Sequence, residues 1–122
     1  MIHTEWNVAE KIALVRGGIA EAALRAGRQP EEITLIGVSK THSAEEVVAA
    51  IRAGLRHVGE NRVQEAAAKF PIVRQMLGGD PAPTFHMVGH LQTNKAGNAV
   101  ELFDRVDAVD SVRVAQALGR RA

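Results

Sequence analysis

The 122-residue sequence has no cysteine and no tyrosine, and its aromatic side chains are three phenylalanines and one tryptophan. Without cysteine, disulfides and thiolate metal sites are excluded. Without tyrosine, a common acid/base group is missing. Neither sign of charge dominates: 15 Lys and Arg stand against 14 Asp and Glu, a formal net charge of +1. Nothing in that balance points to a nucleic-acid or membrane partner. No apolar run approaches a membrane span, and Met1-Ile2-His3-Thr4-Glu5-Trp6 lacks the basic and apolar stretches of a signal peptide. A cytoplasmic chain of one domain is the expectation. Folding would bury about two thirds of its unfolded surface, enough for one core.

What is present is alternation. A first helix is expected from Asn7, with Glu10 as capping partner and Val8, Ile12, Val15 and Ile19 as its apolar stripe. Gly27 and Pro30 end it. Ile33 to Lys40 reads as a buried strand, and Ser43 with Glu46 caps a second helix whose buried face is Val47, Val48 and Ile51. His57-Val58-Gly59 is a second strand delivering Glu60-Asn61. A helical run from Arg62 is expected to be interrupted at Pro71, which has no N–H to donate. After the loop Gly78 to Pro83, Thr84 to His90 reads as a third strand. Gln92-Thr93-Asn94-Lys95 links it to a helix carrying Val100, Leu102 and Phe103. Arg105 to Val109 is a fourth strand, and Asp110-Ser111 opens a last helix.

Strands alternating with helices at this spacing give a parallel sheet with right-handed crossovers. Such a sheet is either doubly wound or part of an eight-stranded barrel. Lys40, Asn61, His86 and Asp110 fall at or near the C-terminal ends of their strands, where barrel active sites are assembled. The turn after the first strand, Ser39-Lys40-Thr41-His42, lacks the glycine fingerprint of a doubly wound nucleotide site. The barrel is favoured.

Lys40 shares a face with Thr34, Ile36 and Val38, while Ile33, Leu35 and Gly37 face the other way. An amine ending an apolar row is costly to desolvate, and a desolvated amine is the nucleophile that Schiff-base chemistry needs. The plain alternative is a solvated lysine at a strand end. His86 and His90 have the spacing of a metal pair on a helix. On a strand they lie ~13 Å apart and cannot share an ion. His86 then faces the same side as Thr84 and Val88, either as a buried hydrogen-bonded histidine or as a ligand contact. Asn61 is a helix N-cap or a site residue.

Four stretches, in order, resemble one family: Val38-Ser39-Lys40-Thr41, Gly59-Glu60-Asn61-Arg62-Val63-Gln64-Glu65, His86 to Lys95, and Val109-Asp110-Ser111. The sequence is similar to the pyridoxal-phosphate homeostasis proteins (the YggS/PROSC type), which are related to the N-terminal barrel of alanine racemase. The resemblance runs from about Leu35 onward. It implies an α/β fold, the first half of a pyridoxal 5′-phosphate-binding (β/α)8 TIM-type barrel preceded by an N-terminal helix, over residues 1–122. It implies that Lys40 holds pyridoxal 5′-phosphate (PLP) as an aldimine, with Asn61 near the cofactor ring and His86 lining the barrel. The family is regarded as a carrier and regulator of the cofactor rather than an established enzyme, with PLP-requiring apoenzymes as recipients. An amino-acid racemase-like enzyme and an interaction module without cofactor are the alternatives.

Family members are nearly twice this length, so strands five to eight and the phosphate cradle are expected to fall outside these four units. Many relatives carry a second lysine where this chain has His42. A four-strand arc with open edges is expected either to self-associate or to be part of a longer product.

Overall fold

The computed structural model of the chain describes residues 4–107, 109 and 111–121, with side chains from residue 8 onward. Helix α1 (Thr4–Arg25) and a 3-10 turn (Pro30–Glu32) precede the repeating units. These are β1 (Gly37–Val38) with α2 (Ala44–Arg52), β2 (His57–Glu60) with α3 (Val63–Leu77), β3 (Thr84–Met87) with α4 (Ala96–Leu102), and β4 (Arg105–Val106) with α5 (Val112–Arg121). The strands are parallel and lie in the order β1-β2-β3-β4. A doubly wound sheet reverses direction at its switch point, whereas successive barrel strands never do. The fold is therefore the expected series of parallel strand–helix repeats of a (β/α)8 barrel, preceded by a helix.

Register sorts the side chains by face. Val58 pairs with Phe85 and Glu60 with Met87, and these four point toward the helices. His57, Gly59 and His86 point the other way. The core lies on the helix side, where Ile51 of α2 and Phe70 and Val73 of α3 meet Phe85, Met87 and Phe103. All three phenylalanines of the chain gather there. Phe70 sits 4.2 Å from Phe85 and 5.5 Å from Phe103 between ring centroids, the second pair edge-on.

Helix α2 forms as its local sequence dictates. The Ser43 hydroxyl accepts from the Glu46 N–H at 3.1 Å, and the Glu46 carboxylate accepts from the Ser43 N–H at 3.0 Å. Gly54, at φ 109°, then turns the chain back toward the sheet in a conformation that side chains resist.

Several expectations are corrected. Helix α1 spans Thr4–Arg25, so Asn7 lies inside it rather than at its start, and Val15 of its stripe is exposed. Helix α3 runs through Pro71 without interruption. Pro71 and Ala67 are both exposed, so the carbonyl that loses its donor can be solvated. The strand expected over Ile33 to Lys40 is a two-residue ladder, and the third and fourth strands end at Met87 and Val106. Each ladder continues by one backbone bond beyond its strand: Ser39 N–H to Gly59, Val88 N–H to Glu60 and Asp107 N–H to Met87. These bonds level the C-terminal edge, where the chain leaves the sheet for its loops.

Candidate functional site at the C-terminal edge of the sheet

Beyond Val38 the chain turns sharply. The His42 N–H donates to the Ser39 carbonyl at 3.0 Å, closing a four-residue turn with Lys40 and Thr41 at its centre. Thr41 has φ 66°, and no other non-glycine described residue has a positive φ. A β-branched residue in this region is strained by about 1–2 kcal/mol. Lys40 is exposed and makes no hydrogen bond or ion pair with a described residue. The expected desolvation is thus corrected: the strand ends two residues early and delivers the amine to water.

A buried ionic cluster lies beneath this turn. Glu60, fully buried at the end of β2, accepts from the Ser39 hydroxyl at 2.6 Å and from Lys69 Nζ at 2.7 Å. Lys69, on α3 and also buried, donates further to the Ser39 carbonyl at 2.6 Å and to Glu65 at 3.0 Å. Glu65 in turn accepts the Thr41 N–H at 2.7 Å. That backbone hydrogen bond, joined by the bond from Lys69 and opposed by desolvation, holds the Glu65 carboxyl below its ordinary range. Glu60 Oε1 is buried with no hydrogen-bond partner among the described residues.

Asn61 follows Glu60 where β2 ends, and Lys40 follows Ser39 where the neighbouring β1 ends; each lies two residues beyond the paired Val38 and Gly59. The helix α3 is capped at Arg62, so Asn61 is not its N-cap. It lines a cavity of about 380 Å³ with Arg62, Gln64, His90, Gln92 and Lys95. A Cβ on Gly89 would lie 2.6 Å from the Asn61 carbonyl oxygen, so glycine there lets the two loops meet.

His86 is buried on the sheet face opposite the helices, paired with Gly59, two residues before Asn61. Its Nδ1 lies 2.8 Å from Asp107 Oδ2 and its Nε2 lies 2.9 Å from His57 Nδ1. A carboxylate only accepts, so His86 donates from Nδ1 to Asp107. When both rings are neutral, His57 donates from Nδ1 to His86 Nε2. Burial pushes the His57 pKa down, the charges of His86 and Arg105 add to this, and Asp107 opposes it. Both nitrogens of His86 are engaged, so it shapes the floor of the site rather than offering a free ring nitrogen.

Among the described residues there is no group of three or more His, Asp or Glu side chains that could hold a metal ion. The groups suited to an aldehyde-bearing anionic cofactor are the uncommitted Lys40 amine and the polar cavity with its two cations, Arg62 and Lys95. Lys40 and Asn61 both follow C-terminal strand ends, of β1 and β2, and His86 lies within β3. Asp110 lies outside the described residues. Sequence reading missed Glu60, Lys69, Glu65, His57 and Asp107 as parts of the arrangement. Two signals were available: Glu65 and Lys69 are spaced i,i+4, and Glu60 shares a strand face with core Val58.

No family model matches the chain. Over 112 residues it is 42% identical to the pyridoxal phosphate homeostasis protein of Escherichia coli (strain K12), covering 92% of this chain and 47% of that protein. The crystal structure of an unknown protein from Bifidobacterium adolescentis superposes with a TM-score of 0.89 at 31% identity, covering 99% of this chain and 52% of its own. PipY of Synechococcus elongatus, solved with PLP bound, superposes with a TM-score of 0.66 at 48% identity, covering 84% of this chain and 47% of its own. The chain spans about half the length of the relatives it matches.

Proposed function

The chain is homologous, over about half of their length, to the pyridoxal phosphate homeostasis proteins, and we propose that it holds PLP as an aldimine on Lys40 and serves as a carrier of that cofactor rather than as a catalyst. The observation that carries this reading is an exposed, uncommitted amine on a firmly held turn at the C-terminal edge of the strands. PLP supplies an aldehyde that condenses reversibly with an amine, releasing water. Lys40 provides the amine, and Asn61, at the end of the neighbouring strand, is the residue to meet the ring. His86, fixed by His57 and Asp107, gives the site a rigid polar floor. Open access to Lys40 suits a carrier, because a second amine can reach the bound aldehyde carbon and take the cofactor away. The recipients in this reading are PLP-requiring apoenzymes of the cytoplasm.

The test is an absorbance titration with PLP, comparing the native chain with Lys40→Ala. The native chain is expected to develop an imine band near the visible edge that the variant lacks. Equal spectra would leave only nonspecific amine chemistry. The free edges of β1 and β4 among the described residues also support pairing of two copies. Sedimentation at tens of micromolar is expected to show a dimer, and a single monomeric species would contradict it.

A further inference from the structure

We propose that Glu60, Lys69 and Glu65 are positioning residues for Lys40, a brace with a buried Glu60–Lys69 pair and a half-buried Glu65 that fixes the backbone on both sides of the lysine. The inference rests on the reading of Lys40 as the PLP-holding amine. Five hydrogen bonds make up the brace, and three of them end on the turn itself. On one side of Lys40, Ser39 is held twice, by its hydroxyl on Glu60 and its carbonyl under Lys69. On the other side, Thr41 is held by its N–H on Glu65. Lys40 lies between two anchored neighbours, and its own side chain joins none of these contacts.

Two physical arguments separate this role from simple stabilisation of the fold. First, a buried ion pair is a poor stabiliser, because desolvating both charges offsets most of their attraction. Apolar side chains of similar volume would serve the core between β2 and α3 at least as well. What they could not do is bind the Ser39 and Thr41 backbone groups. Second, Thr41 is held in the left-handed region, which a β-branched residue leaves when nothing restrains it. Strained conformations persist where surrounding contacts over-determine them, and they gather at functional sites. The restraint here is the Glu65 carboxylate, and its own position is set by Lys69 one helical turn away. Lys69 also draws both carboxylates to itself, so neither is bound to the Lys40 amine.

The experiment measures PLP incorporation at Lys40, quenched at intervals with borohydride and quantified by peptide mass spectrometry. Glu65→Ala is compared with Glu65→Ala/Thr41→Gly and with the charge-balanced Glu60→Gln/Lys69→Met. Thermal melts followed by circular dichroism establish that each variant folds. Hydrogen exchange at the Thr41 amide reports the turn independently of the cofactor. The expected result is about tenfold slower incorporation in Glu65→Ala and in Glu60→Gln/Lys69→Met, since small misplacements of a reacting group cost rate steeply. Exchange at Thr41 should accelerate in both. Thr41→Gly should restore much of the rate to Glu65→Ala, because glycine adopts the positive φ unaided. Native incorporation rates in folded variants whose Thr41 amide has lost protection would overturn the proposal. If the unmodified chain takes up no PLP at Lys40, the functional reading fails on its own. The brace is then judged by Thr41 exchange and by acylation of Lys40 relative to Lys11 and Lys95, where unchanged values in Glu65→Ala overturn it.

Discussion

At the scale of residues, ionisable groups set how the site responds to acid. Burial holds the His57 pKa below its ordinary 6.5, so the neutral ring is the form the folded chain favours. Its contribution to stability is present above that value and is lost as pH falls through the folded pKa. Glu65, held below its ordinary 4.5 by the Thr41 N–H, behaves in the same direction in a more acidic window. Urea unfolding followed against pH should show stability declining below pH 6.5, with the first part of the decline absent in His57→Gln. Loss in that window that is identical in the variant would remove His57 as its cause. Packing acts more strongly than either group. Phe70 is 1% exposed and touches both other phenylalanines, so Phe70→Ala should destabilise the chain by about 3–5 kcal/mol in denaturant titration.

At the scale of elements, what could be read from the sequence was what local chemistry decides. Ser43 and Glu46 cap α2 through contacts three residues apart, so the helix start is written in four letters. The faces of β2 and β3 follow from alternation, and His86 fell on the predicted side. Strand lengths could not be read, because a strand ends where its neighbours stop pairing, and that depends on other segments. The brace was hidden for a similar reason. Lys69 looks like any solvated helix lysine until β2 brings Glu60 beneath it. The His57–His86–Asp107 chain needs the register of three strands at once. Pro71 shows a local signal overruled: α3 keeps its path because its face bearing Val63, Ala66, Phe70 and Val73 is buried, and that packing outweighs one missing hydrogen bond. Pro71→Ala should therefore stabilise the chain, by about 2 kcal/mol, since alanine restores the bond at an exposed position. A fall in the unfolding midpoint would mean that α3 depends on the proline's fixed φ.

At the scale of the whole molecule, sequential parallel strands with helices on one face account for where the chemistry collects. The loops leave from one edge, and Lys40 and Asn61 follow neighbouring strand ends there although 21 positions separate them. No helix among the described residues is long and apolar enough to cross a membrane. The arc and its edge were legible because alternation of strands and helices is a periodic signal carried by the whole chain. The exposure of Lys40 was not, since it depends on where β1 parts from β2.

Locating the cofactor on the chain tests the central claim most directly. The chain would be incubated with PLP, reduced with borohydride, digested, and mapped by mass spectrometry. The pyridoxyl group is expected on the peptide containing Lys40, at close to one per chain, with only traces on Lys11 and Lys95. An even spread over the exposed lysines, unchanged in Lys40→Ala, would contradict it.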